Sequence, residues 1–164
     1  MVLTSQDLLS TLTYTITVTR AGGMTPFQQW ASANGVNSNP STPGANGFAN
    51  LLNFAFGVSP ASSYAGGLVY NGSFFGGGGT IGSTGQPITR QEGSDIRALF
   101  VRRTDYLSAG LTYTVQFSAS LGSWQDSADT PVVLADDGTN QIVSIPYPAG
   151  FTSAGFFKVS LSMP

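Results

Sequence analysis

The chain contains no cysteine and no histidine. The first absence removes disulfides, thiolate nucleophiles and cysteine-based metal sites. The second removes the Ser-His-Asp and Cys-His arrangements and histidine-ligated zinc. Charge is scarce as well: 9% of residues are charged, against about 25% in an ordinary soluble domain. Between Asp7 and Arg90 the only charge is Arg20, and the formal net charge is −2. Arg90, Arg97, Arg102 and Arg103 sit beside Glu92, Asp95 and Asp105, so they form no surface that tracks phosphates, and nucleic acid is disfavoured as a partner. No run reaches the roughly 18 apolar residues of a membrane-spanning helix, so no membrane is expected. The N-terminus lacks a basic segment followed by an apolar one, so, read from Met1, the chain is expected to be made in the cytoplasm without a cleaved signal.

What is present is small, polar and uncharged. Glycine alone contributes 21 of 164 residues, a length sufficient for one domain with a core. High charge with low hydrophobicity, the mark of disorder, is not found here. The most apolar helical stretch is Asn46 to Gly57. Phe48, Leu51, Leu52 and Ala55 form its stripe, and Phe54 and Phe56 lie off it. Asn46 is the expected N-cap, Gly57 the expected left-handed C′ residue, and Pro60 the stop.

Residues 1–10 read as a short helix or an arm. Residues 11–20 alternate strictly, with Leu12, Tyr14, Ile16 and Val18 opposite the threonines, which predicts a strand. Thr25-Pro26 opens a short helix with Phe27, Trp30 and Ala31 on its apolar side, closed by Asn34-Gly35. Residues 58–95 are the least regular. Leu68 to Tyr70 and Ser73 to Phe75 read as strand pieces, and Gly76 to Gly79 as a loop. No lysine precedes Lys158, so a phosphate-cradling loop is not favoured there. Strands are then predicted over Ile96–Arg103, Leu111–Ser118, Pro131–Leu134, Gln141–Pro146 and Phe156–Met163, separated by turn signals. The expected fold is mainly β: an antiparallel β-sandwich with a small helical hairpin over about residues 25–57. Residues 1–20 are an N-terminal arm and first strand, and 21–164 form a single domain.

Two stretches carry a resemblance. One is Phe27-x-x-Trp30, Asn34-Gly35 and Gly47-x-x-Asn50-Leu51-Leu52-x-Phe54-Ala55-x-Gly57-x-x-Pro60. The other is Phe100-x-Arg102-Arg103, Leu111-Thr-Tyr113-Thr-Val115-x-x-Ser118-x-x-Leu121-x-x-Trp124 and Phe156-Phe157-x-Val159. Together they resemble a β-rich module at the C-terminal ends of large exported proteins of environmental bacteria, over roughly residues 25–60 and 96–162. The resemblance implies a helical hairpin on a β-sandwich, acting as a stalk, anchor or adhesion unit. It also implies a calcium-type loop whose acid positions fall on Thr42, Gly44, Asn46 and Asn53. Only Gly47 and Asn50 match that pattern, no carboxylate remains, and calcium wants several. No metal and no cofactor are expected.

The acids fall mostly in predicted turns, where Asp caps backbone N–H groups, so an enzyme is not expected. The functional expectation is a non-catalytic structural protein of a larger assembly, best a bacteriophage capsid decoration (cement) protein or related virion-surface protein. Its expected partners are capsid or other particle subunits and further copies of itself. The unblunted first strand suits strand addition. Candidate contact residues are Leu3, Leu8, Leu9, Thr13, Thr15 and Thr17 in the arm, with Tyr70, Phe74 and Phe75 in the loops. The alternative is a glycan-binding or adhesion module at the cell surface, with Tyr64, Tyr70, Phe74, Phe75, Tyr106 and Tyr147 available to stack on sugars. Trp30 and Trp124 are expected in the core.

Overall fold

Ala98-Leu-Phe-Val101 has no polar residue to face water, so a strand built on it must be covered on both sides. The computed structural model, which describes residues 2–4, 11–13, 22–151 and 155–164, places it there. β1 (Val2–Thr4), β2 (Thr11–Thr13), α1 (Pro26–Ala33) and α2 (Asn50–Ala55) come first in the chain. They are followed by β3 (Val69–Asn71), β4 (Thr80–Ser83), β5 (Ile88–Glu92) and β6 (Asp95–Arg103). The last strands are β7 (Thr112–Ser118), β8 (Gln125–Asp126), β9 (Val132–Asp136), β10 (Asn140–Pro146) and β11 (Phe156–Ser162). The fold is mainly β, with antiparallel sheets and two small helices.

The central sheet has the order β5-β6-β10-β9. Ala98, Leu99, Phe100 and Val101 are fully buried in it, as are Ile142, Val143 and Ser144 across the ladder. The second sheet, β11-β7-β8, covers one face. Its apolar residues meet in register, Tyr113 with Leu161, Val115 with Val159 and Phe117 with Phe157. The Phe100 ring stacks on Tyr113 at 5.9 Å between centroids, which sets this sheet over β6. Arg97 and Arg103 alternate with Phe100 and point the other way. The Arg103 guanidinium lies 4.2 Å from the Phe54 ring centre and Arg97 lies 5.1 Å from that of Phe74. That face is therefore covered by α2 and by the segment between β3 and β4.

The helices form the second core cluster. Thr25 caps α1 as expected: its hydroxyl accepts from Gln28 N at 3.2 Å and Gln28 Oε1 accepts from Thr25 N at 2.9 Å, a reciprocal capping box. Phe27, Trp30 and Phe54 meet with centroids 5.4–5.8 Å apart. The second helix is shorter than expected. Asn46 is not its N-cap. Its side-chain oxygen accepts from Phe48 N at 3.0 Å, and Gly47 takes φ +79°, so the chain is still turning there. Asparagine competes with helix by bonding its own backbone two residues on. Ala49 becomes the N-cap, without a side-chain bond. Gly57 takes the expected left-handed conformation, φ +63°.

Other expectations are corrected. Trp124 is only half-buried and sits outside both core clusters. It lies on the outer face of β11, with Lys158 Nζ 4.4 Å above its ring. Residues 73–75 are a turn, not a strand piece, and β4 and β5 occupy the stretch that gave no clear signal. Val2–Thr4 is a strand, not a helix, and pairs with Thr11–Thr13, setting Leu3 opposite Leu12. Among the described residues these two strands pair with each other alone. The remainder of the expected first strand, residues 14–20, lies outside the described residues.

Tyr113 joins the two clusters. Its hydroxyl donates to the Ala55 carbonyl at 2.7 Å. Ala55 ends α2, so this is one of the carbonyls that a helix leaves unpaired. Burial pushes the phenol up to about 12, so the donor persists at any neutral pH. Tyr113→Phe leaves that buried carbonyl without its partner and is expected to cost about 1–3 kcal/mol. Urea denaturation checks this; an unchanged midpoint would show that the bond contributes nothing.

Candidate functional site

The expected contact residues fall in different places. Leu8, Leu9, Thr15 and Thr17 lie outside the described residues. Leu3 and Thr13 fall in the β1–β2 pair. Tyr70 is corrected: it is 6% exposed and belongs to the main core. Its ring packs so closely on Gly72 and Gly79 that a Cβ at either would collide with it, so both positions need glycine. Phe74 is corrected too. It is partly buried, with Arg90 and Arg97 at 5.5 and 5.1 Å from its ring centre. Each of these contacts is of cation–π type. Phe75 alone of the three stands out, 72% exposed.

The loop that carries Phe75 is anchored at its base by the β5–β6 hairpin. The turn Glu92-Gly93-Ser94-Asp95 places Glu92 opposite Asp95 and Arg90 opposite Arg97. Each acid takes its own arginine, Glu92 with Arg90 at 2.7 Å and Asp95 with Arg97 at 2.8 Å. The other Glu92 oxygen accepts from Ser73 Oγ at 2.7 Å and Phe74 N at 2.9 Å. Arg90 also donates to the carbonyls of Tyr70 at 3.0 Å and Gly72 at 2.6 Å. Burial raises the Glu92 carboxyl, but the Ser73 and Phe74 bonds and Arg90 outweigh it and hold the group below the usual range.

Glu92 and Asp95 are a cross-strand pair, so their separation alone would suit two-carboxylate chemistry. Each is engaged by an arginine. Asp105 takes Arg103 through both oxygens, at 2.7 and 2.9 Å. Asp136 accepts from Gly138 N and Asp137 from Thr139 and Asn140 N, as turn-capping acids do. Among the described residues no group of three or more acidic, cysteine or histidine side chains converges.

The loop with calcium-type spacing is closed by amides. Asn46 Nδ2 donates to Asn53 Oδ1 at 2.8 Å and Asn53 Nδ2 returns to Asn46 Oδ1 at 3.3 Å. Asn53 also donates to the Phe48 carbonyl at 3.1 Å, and Asn50 to that of Asn37 at 3.0 Å. Asn50 and Asn53 are fully or almost fully buried. Sequence periodicity missed both, because asparagine is seldom a core residue.

Tyr64 is 76% exposed. Tyr147 is packed on Phe117, with centroids 4.8 Å apart, and its hydroxyl meets that of Thr89 at 2.8 Å. Tyr106 lies under Arg102 at 4.4 Å. These geometries describe an antiparallel β-sandwich-like protein whose charged residues act locally. No family model, curated protein or solved structure matches the chain.

Because Glu92 is held below its ordinary value, the bonds it accepts are fully present above that value and are lost as pH falls through the lowered one. The loop from Ser73 to Gly79 is therefore expected to release in acid while the sandwich persists. Amide chemical shifts of Phe74 and Phe75, followed by NMR from neutral to acid pH, check this. Glu92→Gln should remove the acid transition in those two signals; an identical transition in that variant would place its cause elsewhere.

Proposed function

We propose that the protein is a non-catalytic structural component of a larger assembly, best a virion-surface or capsid decoration protein. The observation that carries this reading is the exposure of apolar side chains on two outer strands of a surface of low charge. β9 ends one sheet and β11 the other. Val132 and Val133 in β9 are 51% and 44% exposed, and Phe156 in β11 is exposed too. Outer strands are where another chain can pair, although the bulge of β9 against β10 and Lys158 in β11 partly blunt these two. The carboxylates support the same reading, since those described above are spent on ion pairs and turn caps. In this view the chain is made in the cytoplasm and finishes on the particle, against capsid subunits or further copies of itself. The N-terminal residues then add a strand to a neighbour. The resemblance to modules of exported bacterial proteins fits as a surface β-unit used as a separate chain, an argument at the level of fold.

Sedimentation velocity tests association. The wild-type chain is expected to form oligomers or to co-sediment with its particle. Val133→Lys, a charge on an exposed edge, should weaken association and leave circular dichroism unchanged. A wild-type monomer that never joins a particle would sink the proposal.

One observation favours a second reading, a glycan-binding module: Phe75 is presented on an anchored loop with its ring open to solvent. Aromatic rings offer an apolar face to sugars. A glycan array on the wild-type chain and on Phe75→Ala separates the readings. Binding that is lost in the variant supports glycan recognition; silence across a broad array rejects it.

A further inference from the structure

Three of the described arginines have a carboxylate: Arg90 with Glu92, Arg97 with Asp95 and Arg103 with Asp105. Arg102 has none among the described residues. Its guanidinium lies over the Tyr106 ring, 4.4 Å from the centroid, and Nη2 donates to Gln141 Oε1 at 2.8 Å. Its Nε is buried without a partner. The group is thus fixed on one face and along one side while its charge is left without a counterion. It lines a cavity of about 210 Å³ at the mouth between the two sheets. Leu107, Leu111, Thr112 and Pro131 complete the walls with Tyr106. Leu111 is buried and forms the inner wall, whereas Leu107 is 77% exposed at the rim.

We propose that this groove is a docking site for an acidic side chain, Glu or Asp, flanked by an apolar residue in an extended segment of a protein partner. Charge complementarity selects the acid. A planar guanidinium matches a carboxylate through paired N–H donors, and the apolar walls strengthen that attraction relative to open water. Preorganisation by Tyr106 and Gln141 reduces the ordering cost of binding. Size selects a side chain over a free metabolite, because small-molecule sites usually span about 300–1,000 Å³. The exposed Leu107 gives the neighbouring apolar residue a surface to cover. A single arginine is the only cationic group in the lining, which suits one carboxylate better than a phosphate dianion. The site is independent of the particle reading, since the chain alone in solution carries the same groove.

The test uses the full chain, ¹⁵N-labelled, titrated separately with acetyl-Leu-Glu-Leu-amide, acetyl-Leu-Gln-Leu-amide and inorganic phosphate. The Glu peptide is expected to shift the amides of Tyr106, Leu107 and Thr112 and the Arg102 side-chain signal, saturably and in the millimolar range. The Gln peptide should bind about tenfold more weakly. Arg102→Gln should erase the difference between the peptides. Leu107→Ser, at an exposed position that leaves the fold intact, should weaken both alike. Equal affinity for the two peptides, shifts confined to another surface, or phosphate binding as tightly at the same residues would each overturn the proposal. If Arg102→Gln fails to fold, the peptide comparison on the wild-type chain and on Leu107→Ser decides it.

Discussion

The Tyr113 side chain is the contact on which both halves of the core depend. Its ring stacks on Phe100 of the central sheet and meets Phe56 and Tyr106 edge-on. Its hydroxyl closes the end of α2 through the Ala55 carbonyl. A sandwich of this size buries its own strands without help, but the helical pair has a small core of its own, centred on Phe27 and Phe54. Tyr113 packs against both that core and the core of the sheets. Aromatic packing and a helix-terminal hydrogen bond thus act at one residue. Arg103, placed over the Phe54 ring and bound to Asp105, secures the same junction from the adjacent strand.

Scarcity of charge shapes everything outside that junction. With so few ionic groups, each described acid–arginine pair does a local task. Arg90 and Glu92 tie the β3–β4 loop to the β5–β6 hairpin, and Arg103 with Asp105 shapes the β6–β7 turn. Pairs that hold loops in place cannot also repel neighbouring molecules. Valine and phenylalanine are exposed on the outer strands β9 and β11 beside Asp136 and Lys158, and the one described arginine without an acid lines a groove.

Much of the fold was legible in the sequence, and the losses have identifiable causes. The strand over Ile96–Arg103 was legible from its apolar run; that both of its faces are covered shows only in the structure. Alternation at Tyr113, Val115 and Phe117, matched by Phe157, Val159 and Leu161, announced a two-faced sheet. Thr25-Pro26 fixed the start of α1 through local chemistry alone. The start of α2 was misplaced because Asn46 satisfies a backbone N–H in either a cap or a turn, and its pairing with Asn53 is a tertiary contact. β4 and β5 were missed because short glycine- and threonine-rich segments carry little periodicity. Among the contact residues, Phe75 was readable from its place beside a glycine run. Tyr70 and Phe74 were not, since their cover comes from Gly79, Arg90 and Arg97. Arg102 gave no signal either: its partner Gln141 lies across the ladder, and the lack of an acid shows only in three dimensions.

The central claim is that the sandwich is a building unit whose outer strands meet other chains. Electron microscopy of particles purified from cells that make the chain tests it most directly. The account predicts a regularly repeated surface density that the two-sheet body fits, with the β9 or β11 edge against a neighbouring subunit. Particles that lack such density, with the chain recovered only as a free soluble species, would contradict it.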